Sequence, residues 1–126
     1  IAASVATDAT EFFTTAGNAA EGTYVIASPF DPEANTEAKA FNAAYFAKYG
    51  TSPDGFAANG YDTLQILNDA VNHCKGGSDT TCIRDYIYAL KNYPGVGGTI
   101  SFDSNGDVIK EPQVKVAEGG IFKIKR

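Results

Sequence analysis

The order of elements written into this 126-residue chain, one strand, three helices and then mainly strands, places it in the α/β or α+β class. Three observations carry that expectation. Gly22-Thr23-Tyr24-Val25-Ile26-Ala27 is rich in β-formers and precedes any long helical pattern. Apolar residues at helical spacing then recur from Asn35 to about Leu90, interrupted by two sets of stop and start signals. Finally, Thr99–Phe102 alternates like a strand and leads into Asp103-Ser104-Asn105-Gly106-Asp107, a turn whose Asn-Gly step accepts positive φ.

Taken in order, residues 1–15 are small and polar, with Glu11-Phe12-Phe13 as the one apolar point. The Gly22–Ala27 run reads as a buried strand. Ser28-Pro29-Phe30-Asp31-Pro32 ends it, since two close prolines bias the backbone toward extended or turn geometry. Ala38, Phe41, Ala44, Tyr45 and Lys48 then define an amphipathic helix stopped by Gly50. Thr51-Ser52-Pro53-Asp54 offers Ser or Asp as the next cap and Pro for the first turn. The helix it opens is expected to align Phe56, Gly60, Leu64, Leu67 and Val71 on one face, giving way near Cys74 to Lys75-Gly76-Gly77. A third helix starts at Ser78-Asp79 and presents Ile83, Tyr86, Ile87 and Leu90. In Tyr93-Pro94-Gly95-Val96-Gly97-Gly98 the glycines allow a tight turn or a close approach to a neighbour. A last hairpin pairs Val114-Lys115-Val116 with Phe122-Lys123-Ile124 across Glu118-Gly119-Gly120.

Composition narrows the function. The hydrophobic fraction of 44% and charged fraction of 20% are those of an ordinary globular domain, and the length suits one domain. No apolar run approaches the ~18 residues of a membrane span. The chain opens on Ile1 with no signal-peptide pattern and contains no methionine, which is expected of a processed chain or an internal piece. The net charge of −5 argues against nucleic acid, because phosphate binding needs a basic surface. The basic C-terminal residues alternate with apolar ones in Ile121–Lys125 and read as a solvated strand face. Two cysteines and one histidine, His73, are too few for a zinc site, leaving a disulfide or two buried thiols for Cys74 and Cys82. His73 also has no nucleophile or orienting acid beside it, and no glycine loop for phosphate precedes a helix.

Ala16-Gly17-Asn18-Ala19-Ala20-Glu21-Gly22, Gly60-Tyr61-Asp62 and the Gly95–Asp107 segment occur here in one order, and together they carry a family resemblance. The chain resembles the C-terminal portion of a type I periplasmic solute-binding protein of the branched-chain amino-acid (Leu/Ile/Val) binding class. The resemblance implies an α/β, two-lobed fold with ligand held in the cleft between lobes joined by crossover strands. On that mapping residues 1–27 end the distal lobe, 28–112 form the C-terminal part of the proximal lobe, and 113–126 cross back to the distal lobe. The implied function is the extracytoplasmic solute-binding component of an ABC importer, periplasmic or anchored at the cell surface, with no cofactor. Its partners would be a small-molecule ligand, the membrane permease and the N-terminal remainder of the same protein. The same scaffold also serves sensory ectodomains and amide-binding regulators or enzymes. Export in turn favours a Cys74–Cys82 disulfide, which on a chain-entropy estimate contributes about 2–3 kcal/mol.

The resemblance also nominates site residues. Phe56 stands where the family has an aromatic cleft wall just upstream of the Gly-Tyr-Asp step, the alternative being a first core residue of its helix. Tyr61 and Asp62, adjacent on a helix, cannot both face one ligand; Tyr61 is expected to pack under the cleft and Asp62 to bond locally. Ala2-Ala3-Ser4-Val5-Ala6 falls where amino-acid binders carry an acidic residue for the ligand ammonium. Here Ser4 offers only a hydroxyl, its alternative being a plain loop serine, and the first carboxylate is Asp8. A buried ammonium without a charged partner is costly, so the solute need not be an α-amino acid unless Asp8 or the rest of the protein provides the charge. Asp103, Asn105 and Asp107 open like a calcium loop, but Val108 and Val114 stand where its glycine and glutamate belong, which favours a plain turn.

Overall fold

The computed structural model describes residues 1–8 and 10–125. Strands β1 (Ala2–Ala3), β2 (Tyr24–Ala27), β6 (Gln113–Glu118) and β7 (Ile121–Ile124) form one mixed sheet in the order β1-β2-β6-β7. Helix α1 (Thr10–Ala16) lies between β1 and β2 in the chain. Helices α2 (Thr36–Tyr49), α3 (Gly55–His73) and α4 (Thr80–Ala89) follow, then the antiparallel meander β3 (Tyr93–Gly95), β4 (Gly98–Phe102) and β5 (Val108–Ile109). Among the described residues no helix is long and apolar enough to cross a membrane.

The three longer helices start where their side chains can satisfy free N–H groups. Asn35, Asp54 and Asp79 each accept a hydrogen bond from the backbone N–H three residues on, at 2.7, 2.8 and 2.9 Å. Asp54 is thus the cap of α3, and Pro53 precedes the helix rather than entering its first turn. Gly50 closes α2 in the left-handed region, at φ 73°. Cys74 and Cys82 are joined as a disulfide, with Cα atoms 5.9 Å apart, stapling the end of α3 to the first turn of α4.

Two expectations need correction, and one helix is additional to those expected. The first strand is half-buried, not buried: Val25 and Ala27 are enclosed, while Tyr24 and Ile26 on the alternate face are exposed. Residues 10–16 form a helix that their polar composition concealed, anchored by Phe12 and Phe13 against the Phe122 ring at centroid distances of 5.6 and 4.8 Å. The buried face of α3 is Gly55, Ala58, Asp62, Ile66 and Ala70, and Phe56, Leu64 and Leu67 on the expected face are exposed. Small side chains let α3 sit close to its neighbours, and Asp62 is buried because backbone donors from another element meet it.

The final hairpin forms as expected, but its register sets Lys115, Val116 and Ala117 opposite Ile124, Lys123 and Phe122, with Glu118 paired to Ile121 and the turn confined to Gly119-Gly120. Inside the sheet, Lys115 points toward Asp8 and the two form a buried ion pair at 2.7 Å. A small core of Phe30, Ala38, Ala58 and Val96, with Phe41 against it, ties α2 and α3 to the β3–β4 turn.

Candidate functional site

The chain passes between the four-stranded sheet and the helical part at two points, Ala27–Ser28 and Pro112–Gln113. A cavity of about 670 Å³ opens beside these passages. Ala3, Ser4, Val5 and Ile26 line it from the sheet side; Asn59, Ile66, Phe102 and Lys110 face them from α3, β4 and the residues after β5. Its walls are mainly apolar with a few polar groups, the usual make-up of a small-molecule site.

Asp62 organises the helical side. Its Oδ1 accepts from the Val96 N–H at 2.7 Å and its Oδ2 from the Gly97 N–H at 3.0 Å, so the carboxylate clamps the β3–β4 turn to α3. These bonds reach 34 and 35 residues along the chain, so the expected local role of Asp62 is corrected. The turn needs glycine for the same reason: a Cβ on Gly95 would lie 2.7 Å from Asp62 Oδ2, and one on Gly97 would lie 2.6 Å from Lys110 Nζ. Gly55 has a parallel role at the other end of the cavity, where a Cβ would sit 2.9 Å from the Ser28 carbonyl oxygen, so α3 begins hard against the chain leaving β2.

Lys110 completes the group. Its Nζ donates to Asn59 Oδ1 at 3.2 Å and lies 3.8 Å from Asp62 Oδ2, with only 12% of its side chain exposed. Burial lowers its pKa from the ordinary lysine value, and the Asp62 carboxylate works against that shift. Farther along α3, Asp69 accepts a 2.9 Å hydrogen bond from the Tyr93 hydroxyl. Burial first, then this bond, pushes the Tyr93 pKa up to about 12.

Among the residues nominated from sequence, Ser4 lies in the cavity wall. Phe56 lies outside that wall, one turn before Asn59, and is half-exposed at 50%, so it is not a core residue of its helix. Tyr61 turns toward the Phe41 ring, 4.8 Å away, and its hydroxyl accepts from Gln65. Asp8 is paired with Lys115. Asp103 Oδ1 accepts from the N–H groups of Asn105 and Asp107, at 2.8 and 2.9 Å, which makes that segment the expected turn. Sequence reasoning missed Lys110 and Asn59: they sit 51 positions apart, and no local pattern links them.

The model of the periplasmic binding protein family matches residues 1–118. Among solved structures, the leucine binding protein LivK of Thermotoga maritima is 33% identical with a TM-score of 0.91, over 100% of this chain and 36% of its own. The branched-chain amino acid transporter substrate binding protein LivJ of Streptococcus pneumoniae, in complex with isoleucine, is 30% identical with a TM-score of 0.84, over 100% of this chain and 35% of its own. A solute binding protein from Rhodopseudomonas palustris in complex with benzoate shares the fold at 23% identity and a TM-score of 0.72, over 88% of this chain and 31% of its own. No curated protein sequence matches. The chain thus spans about a third of the length of these structures. With a family match over most of its length and LivK-like architecture throughout, the chain belongs to the periplasmic binding protein family, with the type I α/β fold.

Proposed function

We propose that this chain is part of the solute-binding component of an ABC importer and contributes one portion of the cleft in which a small solute is held. Residues 1–27 end the distal lobe, 28–112 form the C-terminal part of the proximal lobe, and 113–126 cross back. The observation that carries this reading is the position of the cavity: one wall comes from residues 3–5 and 26–27, the other from residues between 28 and 112. A ligand in contact with both walls stabilises the closed arrangement of the lobes, and a membrane permease recognises that form. The rest of the cleft comes from an N-terminal remainder of the same protein. Ser4 supplies a hydroxyl to the ligand, and Phe56 supplies an aromatic surface that closure covers. No bond of the solute is made or broken. The Cys74–Cys82 disulfide supports a periplasmic or cell-surface location, where such bonds persist.

Calorimetry tests the reading at both levels. The 126-residue chain alone binds no solute more tightly than about millimolar, while the protein that includes the remainder binds one at about micromolar. Micromolar binding by the isolated chain would refute the lobe mapping. Failure of the longer protein to bind or release any solute, checked by mass spectrometry after denaturation, would refute solute binding.

A further inference from the structure

The two passages between the four-stranded sheet and the helical part are each fastened on both sides of a short free stretch. On the sheet side, the β2–β6 ladder runs as far as Ala27 opposite Gln113. Continued in register, the next partners would be Ser28 with Pro112 and Pro29 with Glu111, and a proline has no N–H to give to a ladder. On the helical side, the chain leaving β2 is pressed against two glycines. A Cβ on Gly55 would lie 2.9 Å from the Ser28 carbonyl oxygen, and one on Gly97 would lie 3.0 Å from that of Pro29. The returning chain is held by Lys110, just before Pro112. Its side chain is largely enclosed, which is costly for an ammonium unless its donors are met, and here they are met on α3 by Asn59 Oδ1 and, at longer range, Asp62 Oδ2. Gly55, Asn59 and Asp62 all belong to the first part of α3, so both passages are fixed to one helix. Gln113 Oε1 accepts from the Phe30 N–H at 3.5 Å and bridges the passages where the ladder has stopped.

Resting on the reading of the sheet and the helical part as portions of two lobes, we propose that Lys110 is a positioning residue for lobe closure: by tying the returning chain to α3, it confines bending in that passage to residues 111–112. These lie beside residues 28–29 of the other passage, so the lobes turn about one narrow axis. With Lys110 untied, the bend spreads back toward Ile109 at the end of β5. The solute-free lobes then sample more orientations, and closure must restrict them again at an entropic cost. The effect is exerted through the hinge, not through contact with the solute.

The test uses the protein that includes the N-terminal remainder, spin-labelled through Ala19→Cys and Ala47→Cys, exposed positions on the two sides of the hinge. The native cysteines are paired and take no label. Pulsed electron paramagnetic resonance reads the distribution of distances between the labels, with leucine, isoleucine and benzoate as probes of closure. The expected result is a broader distribution in solute-free Lys110→Met than in the parent. Affinity for whichever probe the parent binds falls about five- to thirtyfold, the cost of re-ordering one freed residue. Asn59→Ala broadens the distribution less and adds little to Lys110→Met, while Asn59→Asp, which keeps the acceptor, stays near the parent. Where Lys110→Met fails to fold, Asn59→Ala decides alone. A solute-free distribution of parental width in the variants that fold overturns this inference while leaving solute binding intact. Lost affinity at parental width overturns it as well, because Lys110 would then act on the solute directly. A parent whose distribution no probe shifts, and which releases no solute on denaturation, overturns the reading of two closing lobes together with the inference.

Discussion

Replacing Asp62 with Ala should be the most damaging single change in the helical part, and its cost can be worked from the hydrogen bonds it breaks. The carboxylate is 3% exposed and satisfies two buried N–H groups, those of Val96 and Gly97. Each orphaned buried donor costs about 1–3 kcal/mol. Lys110 also loses its counter-charge while remaining largely enclosed, which brings the total to about 3–5 kcal/mol. Water from the adjacent cavity can reach the vacated space, so the lower end of that range is the expected value. Urea unfolding should show a lower midpoint at unchanged slope. Asp62→Asn keeps one acceptor and should lose about half as much. Gly95→Ala adds a second check, because its new Cβ would meet Asp62 Oδ2 at 2.7 Å and Ile100 Cδ1 at 2.8 Å. In the Asp62→Ala background the first of these contacts is gone, so the Gly95→Ala penalty should shrink and the two substitutions should be non-additive. A loss below about 1 kcal/mol for Asp62→Ala, or strict additivity with Gly95→Ala, would refute the clamp.

Reducing the Cys74–Cys82 bond should lower stability by about 2–3 kcal/mol, and alkylation of unreduced protein should label neither cysteine. Tyr93 binds its proton more tightly folded than unfolded, so stability is undiminished below its ordinary pKa of 10.0 and falls as pH rises through about 12. The melting-temperature advantage of the parent over Tyr93→Phe should therefore be constant below about pH 9 and narrow between about pH 10 and about pH 12, and a constant difference across that upper range would oppose this. Phe56→Ala should cost only about 1–2 kcal/mol of stability, because half of the ring is already in solvent. As a cleft wall in the complete protein it should cost roughly thirty- to several-hundredfold in affinity, and unchanged affinity would remove its ligand role.

Local chemistry determined much of this protein before any fold was known. The caps at Asn35, Asp54 and Asp79, the stop at Gly50, the Gly119-Gly120 hairpin and the Asp103 turn each depend on residues within a few positions of one another, so sequence spacing suffices to read them. The motif order that carries the family resemblance is likewise a one-dimensional signal. Tertiary structure decided what depends on partners far along the chain. The burial of Asp62 reverses the face of α3 that hydrophobic periodicity favours, and its donors lie more than thirty residues away. Lys115 reads from sequence as one lysine of an alternating strand, yet its register opposite Val25 turns it inward to Asp8. The same holds for Lys110, whose place in the cavity depends on α3 and the strand meander meeting at Asp62. Which charges are free and which are paired is a property of those distant contacts, and it is what sets the character of the cavity.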